Sequence, residues 1–133
     1  MTANNLNENL VLYRMEQSKE TLEAAKALAN ASLSPLSIVN RSYYAMFYAV
    51  LALLATINKG SSKHSGVISL FDIHFIKTNK LPREFGRVLH KTFNLRNKTD
   101  YSQLEPLGLE QALQTLADAE CFVNGIAKYL NYD

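Results

Sequence analysis

Fifteen consecutive residues without a charge, Tyr43 to Ile57 (YYAMFYAVLALLATI), constrain this chain more than any other feature. The run is shorter than the roughly 20 apolar residues that span a bilayer, and Tyr43, Tyr44 and Tyr48 lie in its first half. A chain of 133 residues typically buries roughly two-thirds of the surface it exposes when unfolded. In such a chain the segment predicts a central helix covered on all sides, and no membrane span. Its start is marked by Ser34 as N-cap and Pro35 at the first helical position. Asn58, Lys59 and Gly60 stop it after about Ile57.

The remaining hydrophobic pattern is also helical, with no sustained alternation of the kind a half-buried strand shows. A first helix is expected from about Asn5 to Asn30, with Val11, Met15, Ser18, Leu22, Ala25 and Ala29 as its seam. A third follows the SSKHSG loop, with Val67, Leu70, Phe71, His74 and Phe75 on one side. A fourth starts near Pro82 and aligns Phe85, Leu89, Thr92 and Arg96. A fifth runs from after Gly108 to about Tyr129, with Leu109, Leu113, Leu116, Cys121, Val123 and Ile126 among its apolar positions. The expectation is an all-α, up-and-down bundle of four to five helices, one domain over residues 1–133. The loop from Ser102 to Gly108, with Pro106, is the longest break after the SSKHSG turn.

Charge and residue inventory then exclude several chemistries. The net charge of +2 is too small to argue for nucleic acid, but it is unevenly spread. Between residues 77 and 98, seven cations (Lys77, Lys80, Arg83, Arg87, Lys91, Arg96, Lys98) face Glu84 alone, whereas residues 101–133 carry a net −4. Arg83, Arg87 and Lys91 form a basic stripe that is either a solvated face or a phosphate contact. The single Cys121 forms neither an internal disulfide nor a CxxC metal site, which reads as a reducing compartment. With no basic, apolar leader in MTANNLNENL, the expected location is cytoplasmic. The five glycines are too dispersed for a nucleotide loop, no serine sits in a GxSxG elbow, and none of the eight glutamates has a histidine three residues on, as di-iron bundles require. No metal and no cofactor are expected.

What remains are polar residues where polar residues are costly. Arg41 lies in the most apolar helix, with Tyr44 and Tyr48 at the next two turns. Arg96 continues the core-side stripe of the fourth helix, with Asp100 and Tyr101 beyond it in LRNKTDY. Arg before Asp is the less favourable order for an i, i+4 pair, so helix stabilisation is a poor reason for it. His64 stands in the SSKHSG loop at a helix start. A structural reading is available for each: Arg41 paired with Asp100 between two helices, His64 as a capping residue, His74 as a core histidine, His90 exposed, and the tyrosines as packing.

Three segments in order, NRSYYAMFYAVLALL, KHSGVISLF and LRNKTDY, resemble a subgroup of the HEPN family in which RxYYAMF on a long helix leads to a loop with lysine and histidine and then to RxxxDY. The resemblance spans most of the chain. It implies a helical bundle that commonly dimerises along a polar cleft, here a homodimer. It also implies nucleotide or RNA binding, often beside a nucleotidyltransferase antitoxin in a toxin–antitoxin or defence module. The residues it marks for phosphate or nucleotide are Arg41, Tyr44, Lys63, Arg96, Asp100 and Tyr101. Nuclease members carry a histidine a few residues after the arginine, but Tyr101, Ser102 and Gln103 occupy those positions here. Metal-independent RNA cleavage would therefore need His64 as proton carrier with Arg41 and Arg96, which requires His64 and Arg96 to converge. The alternatives are binding without chemistry and a purely structural or interaction bundle.

Overall fold

A computed structural model describes residues 2–101 and 107–132, with side chains from Asn7 to Lys98 and from Leu107 to Tyr132. Five α-helices are present among them, and no strand: α1 (Thr2–Asn30), α2 (Pro35–Ala55), α3 (His64–Phe71), α4 (Arg83–Tyr101) and α5 (Leu109–Tyr129). A π-helical turn, Asp72–Ile76, extends α3, its widened hydrogen bond running from Lys77 N–H to the Asp72 carbonyl at 2.8 Å.

Helix α2 is the hub of the bundle and packs against all four other helices. It is long and apolar enough to cross a membrane, but 72% of its most apolar window is buried inside the protein. Its entry is the expected one: the Ser34 side chain accepts from Ser37 N–H, with Pro35 in the first turn. Its exit comes two residues earlier than the apolar pattern suggests. Asn58 takes a left-handed conformation (φ 56°), and Lys59 N–H and Asn58 N–H bond back to the carbonyls of Leu54 and Ala55, closing the helix as a Schellman motif. Ser32 and Asn131 end α1 and α5 with the same pair of bonds and the same sign of φ. Ser32 and two asparagines, not glycines, supply the left-handed turns here, and asparagine is among the side chains that tolerate that region best after glycine.

The four-residue link between α1 and α2 folds them back on each other. The expected α1 seam is the observed one, with Met15, Ser18, Leu22 and Ala25 buried and Val11 and Ala29 half-buried. Ser18 is fully buried, and its Oγ donates to the Ala45 carbonyl of α2 at 2.6 Å. A small residue there lets the two backbones approach while its hydroxyl stays bonded. Helix α5 differs from expectation on one face. Ala112, Thr115, Leu116, Ala119, Phe122, Val123 and Ile126 are buried, whereas Leu109, Leu113 and Cys121 are exposed. The small residues Ala112 and Ala119 turn inward and allow a close approach that a side chain the size of Leu113, one position from Ala112, would block. Gly125 serves the same end against α4: a Cβ there would lie 2.3 Å from the Phe85 ring.

Two substitutions at one position test the α1–α2 packing. Ser18→Ala removes the hydrogen bond and should cost about 1 kcal/mol, whereas Ser18→Leu forces the helices apart and should cost about 1–3 kcal/mol. Urea unfolding of the two variants checks this, and a leucine variant as stable as wild type would show that the helices do not approach closely there.

Candidate functional site

Helices α2, α3 and α4 meet around one polar and aromatic cluster. On α2, Asn40, Tyr43, Tyr44 and Phe47 fall at spacings of three and four, so they share one face. Helix α4 brings Arg96 to that face. Its Nε donates to Asn40 Oδ1 at 3.1 Å and a terminal nitrogen reaches the Tyr44 hydroxyl at 3.4 Å. The guanidinium also lies 5.5 Å and 5.2 Å from the ring centres of Tyr43 and Tyr44, within cation–π range. Helix α3 begins with His64, whose Nδ1 is 2.9 Å from the Tyr43 hydroxyl and whose ring stacks on Phe47 at 4.2 Å. Gly66 in the first turn of α3 lets the preceding loop fold tightly over it, since a Cβ there would lie 2.2 Å from Ser61 Oγ.

The cluster sets the protonation of its members. Burial raises the Tyr43 phenol above its ordinary value, even though the Arg96 charge pulls the other way. Tyr43 therefore keeps its proton at neutral pH. Burial also lowers the His64 pKa, and Arg96 lowers it further by repelling a second positive charge. A neutral imidazole beside a protonated phenol leaves one economical arrangement. The Tyr43 hydroxyl, buried with Nδ1 as its one partner among the described residues, donates to Nδ1, and Nε2 then carries the imidazole proton. His64 so arranged offers its remaining nitrogen as a hydrogen-bond donor.

The other expected residues are placed as follows. Arg41 is half-buried and lies over Tyr44, 5.4 Å from the ring centre. One residue off the Asn40–Tyr44–Phe47 stripe, it flanks the cluster from the side. Its expected partner Asp100, and Tyr101, have side chains outside the described residues. Lys63 is exposed, one residue before His64. His74 is half-buried at the π-helical turn, and exposed His90 is bonded through Nε2 to Asp72 at 2.5 Å. Among the described residues no group of His, Cys, Asp and Glu could hold a metal ion. Asn40, Tyr43 and Phe47 are members that sequence reasoning treats as packing or passes over. The signal for them is present in NRSYYAMF, where one i, i+3, i+4, i+7 face carries an amide and three aromatic rings.

An all-α bundle that gathers an arginine, a histidine and aromatic rings from three helices defines the class structurally. Residues 11–129 match the HEPN domain family, and the chain belongs to it. A UPF0332 protein of Thermotoga maritima is 37% identical over 127 residues, 95% of each chain. Two proteins of Methanocaldococcus jannaschii, each named "Putative toxin", are 39% and 37% identical over 116 residues, covering 87% of this chain and 85% and 78% of theirs.

Because folding lowers the His64 pKa, the unfolded chain takes up the proton more readily, so stability falls as pH drops from about 6.5 through the folded value. His64→Gln should flatten that acid-side loss. In NMR titrations the His64 ring should titrate below its ordinary value in wild type and move back toward it in Arg96→Ala. An unchanged titration in that variant would mean the two groups do not sense each other.

Proposed function

We propose that this HEPN chain binds a nucleotide or RNA through Arg96, His64 and Tyr44, with Arg41 and Lys63 at the margin. It acts in the cytoplasm as the toxin-side member of a toxin–antitoxin or defence module, with a nucleotidyltransferase partner. Asp100 and Tyr101 belong to the same proposal, as do a single domain over 1–133 and a homodimer. Relatives named as toxins in Methanocaldococcus jannaschii support the module. The observation that carries the binding reading is the Tyr43–His64–Arg96 arrangement. A guanidinium and a neutral imidazole N–H are donors suited to phosphate oxygens and to base edges, with aromatic rings beside them.

A second reading, metal-independent RNA cleavage, draws on the same convergence of His64 and Arg96. A general base would need a free imidazole lone pair, which requires Tyr43 to accept from Nδ1 and its own proton to find another acceptor. The arrangement thus favours binding over chemistry.

The two readings separate in the test tube. Arg96→Ala should weaken binding of labelled single-stranded RNA and reduce the slope of log K against log salt by roughly 0.7, the share of one phosphate that is no longer neutralised. If the protein cleaves RNA, His64→Ala should lose on the order of a hundredfold or more in rate with little change in affinity, and chelator should leave the wild-type rate untouched. Wild-type protein that binds RNA and leaves it intact supports the binding reading and removes the enzyme. Protein that neither binds nor cleaves, with Arg96→Ala only less stable, makes the cluster structural.

In sedimentation equilibrium the protein should run at twice the chain mass. A strict monomer at tens of micromolar, where an obligate interface of standard size persists, would remove the dimer from the proposal.

A further inference from the structure

The basic stripe of α4 faces away from the Arg96 cluster. Arg87 and Arg96 are nine residues apart, which at about 100° per residue sets them on opposite sides of the helix. On the Arg87 side a groove of about 430 Å³ separates the π-helical turn from the first turns of α4, with Ile76, Lys77, Asn79, Arg83 and Gly86 in its lining. Its walls are held in place by the backbone. Asn79 takes a left-handed conformation (φ 60°), and beyond it Leu81 N–H bonds to the Phe75 carbonyl at 2.9 Å while the Leu81 side chain is buried. That closure fixes the segment carrying Lys77 and Asn79 against the start of α4. The nearby carboxylates are already engaged, Asp72 by His90 and Glu84 by Arg87. Lys77, Arg83 and Lys91 are exposed and have no ion-pair partner among the described residues. Beside these cations stands an apolar lip. Ile73, 47% exposed, lies four residues before Lys77 on the same turn, and half-buried Ile76 lines the groove next to it.

We infer that this groove docks a protein partner through a short acidic segment carrying an apolar residue, and that a partner held there leaves the Arg96 cluster open. The inference rests on the proposed function only for there being a protein partner, and uses nothing said there of nucleotide or RNA. Charge complementarity names the segment. Residues 77–98 carry seven cations against Glu84 alone in a chain whose net charge is +2, so the local field draws in an acidic surface that the average charge would not. The isoleucines favour a peptide over a bare polyanion. Exposed Ile73 gains by being covered with an apolar side chain, as at the centre of a protein interface with charges around it. A groove whose walls are already fixed also spares the ordering cost that a mobile loop would add on binding. The half-turn between Arg87 and Arg96 then separates the two sites, so that docking on one side of α4 does not contest the other.

The test uses the full chain and a short labelled peptide, rich in glutamate with a leucine near its middle. Lys77→Gln with Arg83→Gln should bind it at least about tenfold more weakly, a loss of about 1.4 kcal/mol. Replacing the peptide's leucine by glycine, or Ile73 by serine, should each weaken binding, and the two changes together should cost no more than one. A control variant, Lys59→Gln with Lys128→Gln, and Arg96→Ala should both bind the peptide like wild type. In amide NMR spectra the peptide should shift resonances between Ile73 and Gly86 and leave those of Asn40, Tyr44 and His64 in place. Because the substituted groove residues are exposed, the variants should keep their helical circular dichroism. Wild-type protein that does not bind the peptide, or a groove variant that binds it normally, overturns the inference whether or not Arg96 binds nucleotide. An equal loss in the control variant overturns it in favour of a general charge effect. A leucine and an Ile73 that make no difference reduce the contact to bare charge and overturn the docking site. Loss of single-stranded RNA or of anionic lipid vesicles in the groove variant, with the peptide still bound, overturns it in favour of nucleic acid or a membrane surface. Shifts at Asn40, Tyr44 or His64 overturn the separation of the two sites.

Discussion

A helix buried over most of its surface obliges the rest of a small protein to arrange itself around it. Here that helix is α2, from Ile38 to Ala55 almost wholly covered by the other four. Burial on this scale, at roughly 25 cal/mol per Å² of apolar surface, is the dominant favourable term in the fold. It also fixes what happens to every polar atom the helix carries. A polar group on a surface helix can turn to solvent, whereas one buried on α2 must find a partner in the protein or raise the cost of folding. Asn40 finds Arg96, Tyr43 finds His64, and the Ala45 carbonyl receives Ser18. Ser42 is the exception, its Oγ buried without a partner among the described residues. The polar cluster thus follows from placing amide and phenol groups at the border between the buried bulk of α2 and its one half-buried stripe, Asn40, Arg41, Tyr44, Tyr48 and Leu51.

The same dependence decides which parts of the protein can be read in the sequence. Element existence and type are legible because they follow from short-range rules: Ser34–Pro35 opens α2, and apolar spacing sets the α1 seam. Phase within a helix is less legible. Leu109, Leu113 and Cys121 have the spacing of core positions in α5, and the structure buries Ala112, Ala119 and Phe122 instead. Hydrophobicity alone ranks leucine above alanine for burial, but the distance between two helix axes is set by the smallest residues where they meet. That distance is a property of two helices, which no one-dimensional pattern contains.

The site is legible by residue type and not by geometry. Arg96, His64 and Tyr44 stand out in the sequence as costly or unusual, and they do come together. Arg41 has the stronger sequence argument and takes the lesser place, because one residue along α2 is 100° around it. Tyr43, whose spacing suggests packing, proves to be the hinge of the cluster, since among the described residues it alone meets the histidine by hydrogen bond and the arginine by its ring face. Tyrosine has an apolar body and a polar tip, so a packing role and a site role look alike until its hydroxyl is located.

That double character ties the chemistry of the site to the stability of the core. Tyr43 has no solvent exposure and packs among Phe47, Phe93 and Tyr44, yet its hydroxyl selects which nitrogen of His64 bears the proton. The burial that makes Tyr43 part of the core raises its pKa and holds it as a donor, while partial burial and Arg96 hold His64 neutral. Burial drives both groups toward their neutral forms; Arg96 adds to that at His64 and opposes it at Tyr43, where burial prevails. An ionised phenol or a charged imidazole in this cluster would each reverse the Tyr43–His64 hydrogen bond and cost solvation energy in a partly dry site. The positive charge of Arg96 is therefore the fixed element, and the histidine beside it is tuned away from charge. A pair arranged in this way presents one cation and one neutral donor, which is what the proposed phosphate contact would use without moving a proton. Converting it to a proton-transfer site would require the Tyr43 hydroxyl to reverse its hydrogen bond, a change in the core and not at the surface.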